Sequence, residues 1–442
     1  MQKKSLIVIL AILAALGAQC LAADESQTSP VFAYVNQPDG SYTWSKSSET
    51  KLENGATWVK VNLTSQTWQR ITWKHELSIV MPKELRDGST VGIMFDFGTL
   101  DVGDIVTLAS TANLTGMPLA YLSAVPNEPL WDKWEDDLLA YTLSKALETQ
   151  DLTWPLVFPM TKSVVRAMDT IQALAKKEWK APVKGFVVSG ASKRGWTTWL
   201  TGAVDKRVVG IAPAVYDNLN LPAQMKQQVE AYGDYSEMIS DYKQRGLPAF
   251  LKTPEGRSFA AMIDPYTFRK LLTMPKMILL GTNDPYWTLE SPNLYFRNLP
   301  GDNHIHYSPN QGHVYTEQPD VAMALGVFAV ACSKGGKLPK MTWTYVPKNP
   351  EYASGRVSKD LQLTIRPGKE AQAVRVWTAD SDTKDFRQAK WTATTLEGKA
   401  GVYTFTLPRP KSGFSAVFGE AEYKESEVPY TQNTTPKIWP AK

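Results

Sequence analysis

The sequence predicts an α/β fold, a mostly parallel sheet with helices on both faces, followed by a small antiparallel β domain. Two observations carry this expectation. From about residue 76, short apolar runs alternate with helix-length segments, as expected of strands buried on both faces and separated by covering helices. After about Lys337 the helical segments stop, and alternating strands between turn clusters take over. The chain of 442 residues is 43% hydrophobic and 21% charged, enough to bury a large core and to exclude disordered, collagen-like and coiled-coil organisation. Its 48 Lys and Arg against 44 Asp and Glu leave a net charge of +4, too even for the concentrated basic face of a nucleic-acid binder.

The chain opens as a leader. Lys3 and Lys4 precede an apolar stretch from Ser5 to Ala18, and small residues around Ala22 suit signal peptidase, so residues 1–22 are expected to be removed. The mature protein would then be exported, periplasmic or secreted. Acylation of Cys20 is the alternative, but Gln19 stands where lipid attachment wants a small residue. Cleavage leaves Cys332 as the single cysteine, so no internal disulfide can form and the fold must rest on its core. No later stretch reaches about 18 uninterrupted apolar residues, and no membrane span is expected after processing.

Residues 24–337 are expected to form the α/β domain with a β-rich N-terminal extension. Phe32-Ala33-Tyr34-Val35 and the alternating run from Trp58 to Leu63 read as strands, broken by turns at Pro38-Asp39-Gly40 and Asn54-Gly55. Buried strands follow at residues 77–81, 91–97, 118–125, 186–189, 208–215 and 276–281. Helices are expected over 134–149 and 161–177; in the second, Val164, Val165, Met168, Ile171 and Leu174 recur at helical spacing. Residues 341–438 read as a β-sandwich of immunoglobulin-like type, with strands at 361–365, 373–377 and 403–407.

The most informative stretch is Val187-Val188-Ser189-Gly190-Ala191-Ser192-Lys193-Arg194-Gly195-Trp196. A β-branched strand enters Gly-Ala-Ser and then a helix-compatible segment, the layout of a nucleophile elbow that exposes a serine oxygen above a sheet. The second glycine stands three residues after the serine, with Arg194 in the usual place. A serine nucleophile needs a histidine base and an acid to orient it. His313 follows Asn310-Gln311-Gly312 in a loop after a strand. Asp284 opens the loop after the apolar strand ending at Gly281. The order Ser192, Asp284, His313 is that of an α/β-hydrolase triad. Asp217, at the end of the preceding strand, is the alternative acid. The oxyanion hole would combine the Lys193 N–H with one from Gly98 or Thr99, after the strand at 91–97.

Three other groups have competing readings. His304 and His306 share one strand face, but no further ligand completes a zinc pattern, so neither metal nor cofactor is expected. Glu135-Asp136-Asp137 suits a helix start, where acids favour the dipole, and could alternatively hold a free amine of a peptide substrate. The 15 tryptophans suit core packing better than sugar stacking.

Val125-Pro126-Asn127-Glu128-Pro129-Leu130, Glu135-Asp136-Asp137, Pro159-Met160-Thr161-Lys162, Arg166-Ala167-Met168-Asp169, the Ser192 elbow and the Asp284 and His313 loops together resemble the PhoPQ-activated pathogenicity-related proteins over about residues 30–345. The resemblance implies an α/β-hydrolase-like fold with Ser192 as nucleophile, Asp284 as acid and His313 as base. The elbow is also similar to that of glucuronoyl methylesterases, in which a basic residue follows the serine, the place held here by Lys193. The family's oxyanion loop would carry a second glycine where this chain has Thr99. The reading is an exported serine hydrolase acting on a small-molecule ester or a peptide, with oligomeric state left open. Its rival is a catalytically silent fold used for binding or signalling.

Overall fold

The computed structural model describes residues 29–86, 88–179, 182–313, 318–348 and 360–441, so the leader read in residues 1–22 lies outside the described part. The chain enters on a helix, α1 (Pro30–Asn36), where the sequence suggested a strand. Pro30 fits a first helical position, and Val31, Phe32, Tyr34 and Val35 are all buried. Such spacing puts four apolar side chains on one helical face, whereas a strand would split them between two. Phe32 meets Phe268 edge-on at 5.4 Å, and the Tyr34 hydroxyl donates to Gln66 Oε1 at 2.8 Å. Tertiary packing overrides the β propensity of this short run.

Strands β1 (Thr43–Lys51), β2 (Thr57–Trp68) and β3 (Ile71–Met81) form an antiparallel meander. Next come β4 (Thr90–Phe95), α2 (Val102–Thr115) and β5 (Leu119–Leu122), then α3 (Glu135–Thr149) and α4 (Val157–Leu174). The elbow strand β6 (Gly185–Ala191) leads into α5 (Lys193–Val204), and β7 (Val208–Ala214), β8 (Lys276–Gly281) and β9 (Asn303–Ser308) complete the sheet. Between β7 and β8 lie α6 (Leu221–Tyr232), α7 (Ser240–Gln244), α8 (Leu247–Phe250) and α9 (Pro254–Ile263); α10 (Pro319–Ser333) follows β9.

These strands build one nine-stranded sheet in the order β1-β2-β3-β5-β4-β6-β7-β8-β9. From β5 through β9 every neighbouring pair is parallel, while β3 meets β5 antiparallel. The β-rich N-terminal segment is therefore one wing of the main sheet. Period-two alternation sends Phe186, Val188, Ile211, Ile278 and Leu280 into the core with α4 and α5. It sends Val187, Ala212, Met277 and Leu279 to the other face, against Val327 and Phe328 of α10.

The C-terminal part is antiparallel. Strands β10 (Thr342–Lys348), β11 (Asp360–Arg366), β14 (Gly398–Lys399) and β15 (Val402–Leu407) form one sheet. A second holds β12 (Ala373–Ser381), β13 (Thr392–Thr395), β16 (Phe414–Glu425), β17 (Val428–Asn433) and β18 (Lys437–Pro440). Leu361, Leu363 and Ile365 of the first share a core with Val374, Val376 and Val417 of the second. The whole is an α/β-hydrolase architecture with antiparallel sheets appended at its C-terminus.

Candidate active site

At the end of β6 the backbone turns sharply into α5 through Ser192, whose φ is 57° and ψ −124°. A non-glycine residue rarely adopts such a conformation, and it is held where surrounding structure over-determines it. The Ser192 N–H donates to the Ala214 carbonyl at 2.8 Å, tying the turn to β7. Glycine is needed on both sides. A Cβ at Gly190 would lie 2.8 Å from Arg194 Cβ, and one at Gly195 would lie 2.7 Å from the Ala214 carbonyl oxygen. The displaced second glycine thus sits where α5 presses on the end of β7.

The serine hydroxyl makes no cap bond to its own helix. It lies 2.9 Å from His313 Nε2, and His313 Nδ1 lies 2.8 Å from Asp284 Oδ2. An ionised carboxylate only accepts, so Nδ1–H donates to Asp284 and Nε2 accepts from Ser192. The other Asp284 oxygen accepts the Tyr286 N–H at 2.8 Å. Ser192, Asp284 and His313, chosen from chain order, are brought together. Asp217 is not joined to them. It is buried, its Oδ1 accepts the Tyr295 hydroxyl at 2.6 Å, and burial raises its pKa well above the usual carboxylate range.

The loops that carry Asp284 and His313 interlock. A Cβ on Gly281 would stand 2.3 Å from the Gly312 carbonyl oxygen, so the two backbones touch there. The Asn283 N–H donates to the Gln311 carbonyl at 2.9 Å, and the Asn310 N–H to Thr282 Oγ1 at 2.8 Å. The segment between β12 and β13 holds both loops from outside. Asn283 Nδ2 donates to the Ala389 carbonyl at 2.7 Å, while Asn310 accepts the Trp391 N–H at 2.8 Å and donates to its carbonyl at 3.1 Å. Sequence reasoning missed this clamp, whose partners lie 81 to 106 residues along the chain.

Of the oxyanion candidates, Lys193 opens α5, so its N–H belongs to the first turn, which lacks intrahelical carbonyl partners. Gly98 and Thr99 follow β4, the neighbour of β6, and the Gly98 carbonyl accepts the Tyr121 hydroxyl at 3.0 Å. The Lys193 and Arg194 side chains lead into an ion cluster that the sequence did not reveal. Lys193 Nζ contacts Glu135, and Arg194 reaches Glu135 at 2.7 Å, Glu128 at 3.3 Å, Asp96 at 3.2 Å and the Val125 carbonyl at 2.7 Å. Burial, reinforced by the neighbouring guanidinium, pushes the Lys193 ammonium down to about 7. Glu135, Asp136 and Asp137 do open α3, and each is also engaged: Glu135 by Lys193 and Arg194, Asp137 by Lys133 and Arg245. Asp136 accepts the Tyr242 and Tyr286 hydroxyls, both at 3.0 Å. Only the fold shows that Glu135 and Asp136 face the elbow.

His304 and His306 share the expected strand face, which is turned toward the C-terminal sheets. His304 Nδ1 bonds Gln432, and His306 bonds Thr431 and Asp320. Among the described residues no group of three metal-ligating side chains is assembled. Ser192 also lines a cavity of about 80 Å³ of solvent-accessible volume, walled chiefly by apolar and aromatic side chains that include Trp196 and Trp287.

A model of the PhoPQ-activated pathogenicity-related protein family matches residues 31–387. Autocrine proliferation repressor protein A of Dictyostelium discoideum is 32% identical over 438 residues, covering 90% of this chain and 86% of that one. Among solved structures, the acetyl xylan esterase of Paenibacillus sp. R4 superposes with a TM-score of 0.47 at 12% identity, covering 67% of this chain and 92% of the other. A glucuronoyl esterase of Solibacter usitatus gives 0.44 at 14% identity, covering 69% and 91%.

Proposed function

This chain belongs to the PhoPQ-activated pathogenicity-related protein family, and we propose that it is an exported serine hydrolase that cleaves an ester or an amide. One observation carries the reading: an unbroken hydrogen-bonded line from Ser192 Oγ through His313 to Asp284, mounted on a strained strand-to-helix turn. In this mechanism His313 Nε2 takes the Ser192 proton as Oγ attacks the substrate carbonyl. Asp284 holds the imidazole in the needed tautomer and stabilises the imidazolium that forms. The Lys193 N–H, with an N–H from Gly98 or Thr99, receives the developing oxyanion. His313 then protonates the departing alcohol or amine, and water, activated by the same imidazole, releases the acyl group from Ser192.

The leader read in residues 1–22 puts this chemistry outside the cytoplasm, and small esters or peptides are its substrates. Hydrolysis of p-nitrophenyl butyrate by purified protein tests the proposal. Turnover should fall at least about a thousandfold in Ser192→Ala and in His313→Ala. Turnover that survives Ser192→Ala would remove Ser192 as nucleophile. An inert wild-type protein would favour the silent binding fold.

A further inference from the structure

The cavity beside Ser192 differs in kind from the ion cluster that Lys193 and Arg194 enter. Its walls include Leu139 and Leu143 of α3, Met225 of α6, Phe250 of α8, and Phe259 and Ile263 of α9. Two ionisable carriers of charge, Asp136 and Lys193, are also in the lining, and both are satisfied within the protein. The Asp136 oxygens accept the hydroxyls of Tyr242 and Tyr286, and the Lys193 ammonium rests on Glu135. The Tyr216 hydroxyl and Asn218 Oδ1 are buried polar atoms of lining residues with no hydrogen-bond partner. Apart from these two groups the wall offers a ligand hydrocarbon and ring surface, and a charged occupant would meet no free counter-charge.

Chemistry decides which part of a substrate lies there. The acyl group stays attached to Ser192 Oγ after the first step, whereas the leaving group must sit against His313 Nε2 to be protonated. Ser192 lines the cavity and His313 does not. On the serine-hydrolase reading above, we infer that this cavity is the acyl pocket and that the preferred substrate carries an uncharged, apolar acyl group. The apolar wall is drawn from four helices and extends beyond the reach of an acetyl methyl. The acyl group is therefore longer than acetyl.

A series of p-nitrophenyl esters from acetate to octanoate tests this, because the leaving group is constant. kcat/KM should rise about fourfold per added methylene up to hexanoate and then level off or fall. Phe250→Ala, which enlarges the pocket, should move the optimum to longer chains. Met225→Trp, which fills it, should lower the hexanoate-to-acetate ratio at least about tenfold. A flat or falling series in protein that a fluorophosphonate labels, or a ratio that neither variant moves, would overturn the acyl pocket and leave the serine hydrolase standing. Absence of both labelling and turnover would overturn the hydrolase reading itself. Ligand-observed NMR on Ser192→Ala reads the pocket without catalysis: the neutral hexanamide should bind at least about tenfold tighter than acetamide, and equal binding contradicts the inference.

Discussion

The ring of Tyr286 lies against the imidazole of His313, with centroids 4.1 Å apart and planes inclined by 32°. The same residue gives its N–H to Asp284 and its hydroxyl to Asp136. One side chain therefore touches His313, its backbone steadies Asp284, and its tip is anchored to the start of α3. Tyr286→Phe keeps the ring and should retain kcat within about threefold. Tyr286→Ala should lose at least about tenfold. Equal losses in the two variants would locate the role in the hydroxyl.

The two acids separate by environment. Asp284 bonds the imidazole, whereas Asp217 bonds Tyr295, and burial raises the Asp217 pKa above the usual carboxylate range. An amide can still accept the Tyr295 hydroxyl. Asp284→Asn should lower turnover at least about a hundredfold, and Asp217→Asn no more than about threefold. The reverse ranking would transfer the acid role to the earlier strand.

Arg194 is the buried centre of the ion cluster, and the Glu128 carboxylate beside it is almost fully shielded from water. Removing the guanidinium leaves that carboxylate without its counter-charge. Arg194→Ala should cost about 3–5 kcal/mol of unfolding free energy, read by urea denaturation. Arg194→Ala combined with Glu128→Gln should recover part of the loss. A single variant as stable as wild type would show that the cluster is not a structural centre.

His75 is buried on β3, where Nδ1–H donates to the Ser123 carbonyl and Nε2 accepts from Ser65. Burial pushes its pKa down to about 4 from 6.5. The unfolded chain therefore binds a proton that the folded chain refuses between about pH 6.5 and 4. Stability should fall as pH drops through that window, and His75 should contribute on the order of 3 kcal/mol to the fall. His75→Gln should flatten the slope of unfolding free energy against pH. An unchanged slope would mean that other groups set the acid sensitivity.

What could be read from the sequence was whatever local pattern encodes. The strands β6 and β8 are unbroken apolar runs ended by Gly, Ser, Asn and Asp, so both the sheet and the loops bearing Ser192 and Asp284 were visible. His313 was found because the chain holds only four histidines. The misread segment, α1, is seven residues long, too short for periodicity to separate helix from strand. The partners of Arg194 and the grip of Ala389 and Trp391 on the two loops left no local trace. They are pairings between distant segments, and only the folded sheet brings them together. His304 and His306 show the converse, a pattern that is regular along the strand but satisfied by Gln432 and Thr431 from β17.

The most direct test of the central claim is covalent labelling with a fluorophosphonate probe, which needs no knowledge of the substrate. A nucleophile activated by His313 predicts one adduct per chain at neutral pH, mapped by peptide mass spectrometry to Ser192. The adduct should be lost in folded Ser192→Ala and His313→Ala. An unlabelled wild-type protein, or an adduct on Ser189, whose hydroxyl donates to the Ala212 carbonyl at 2.8 Å, would contradict it.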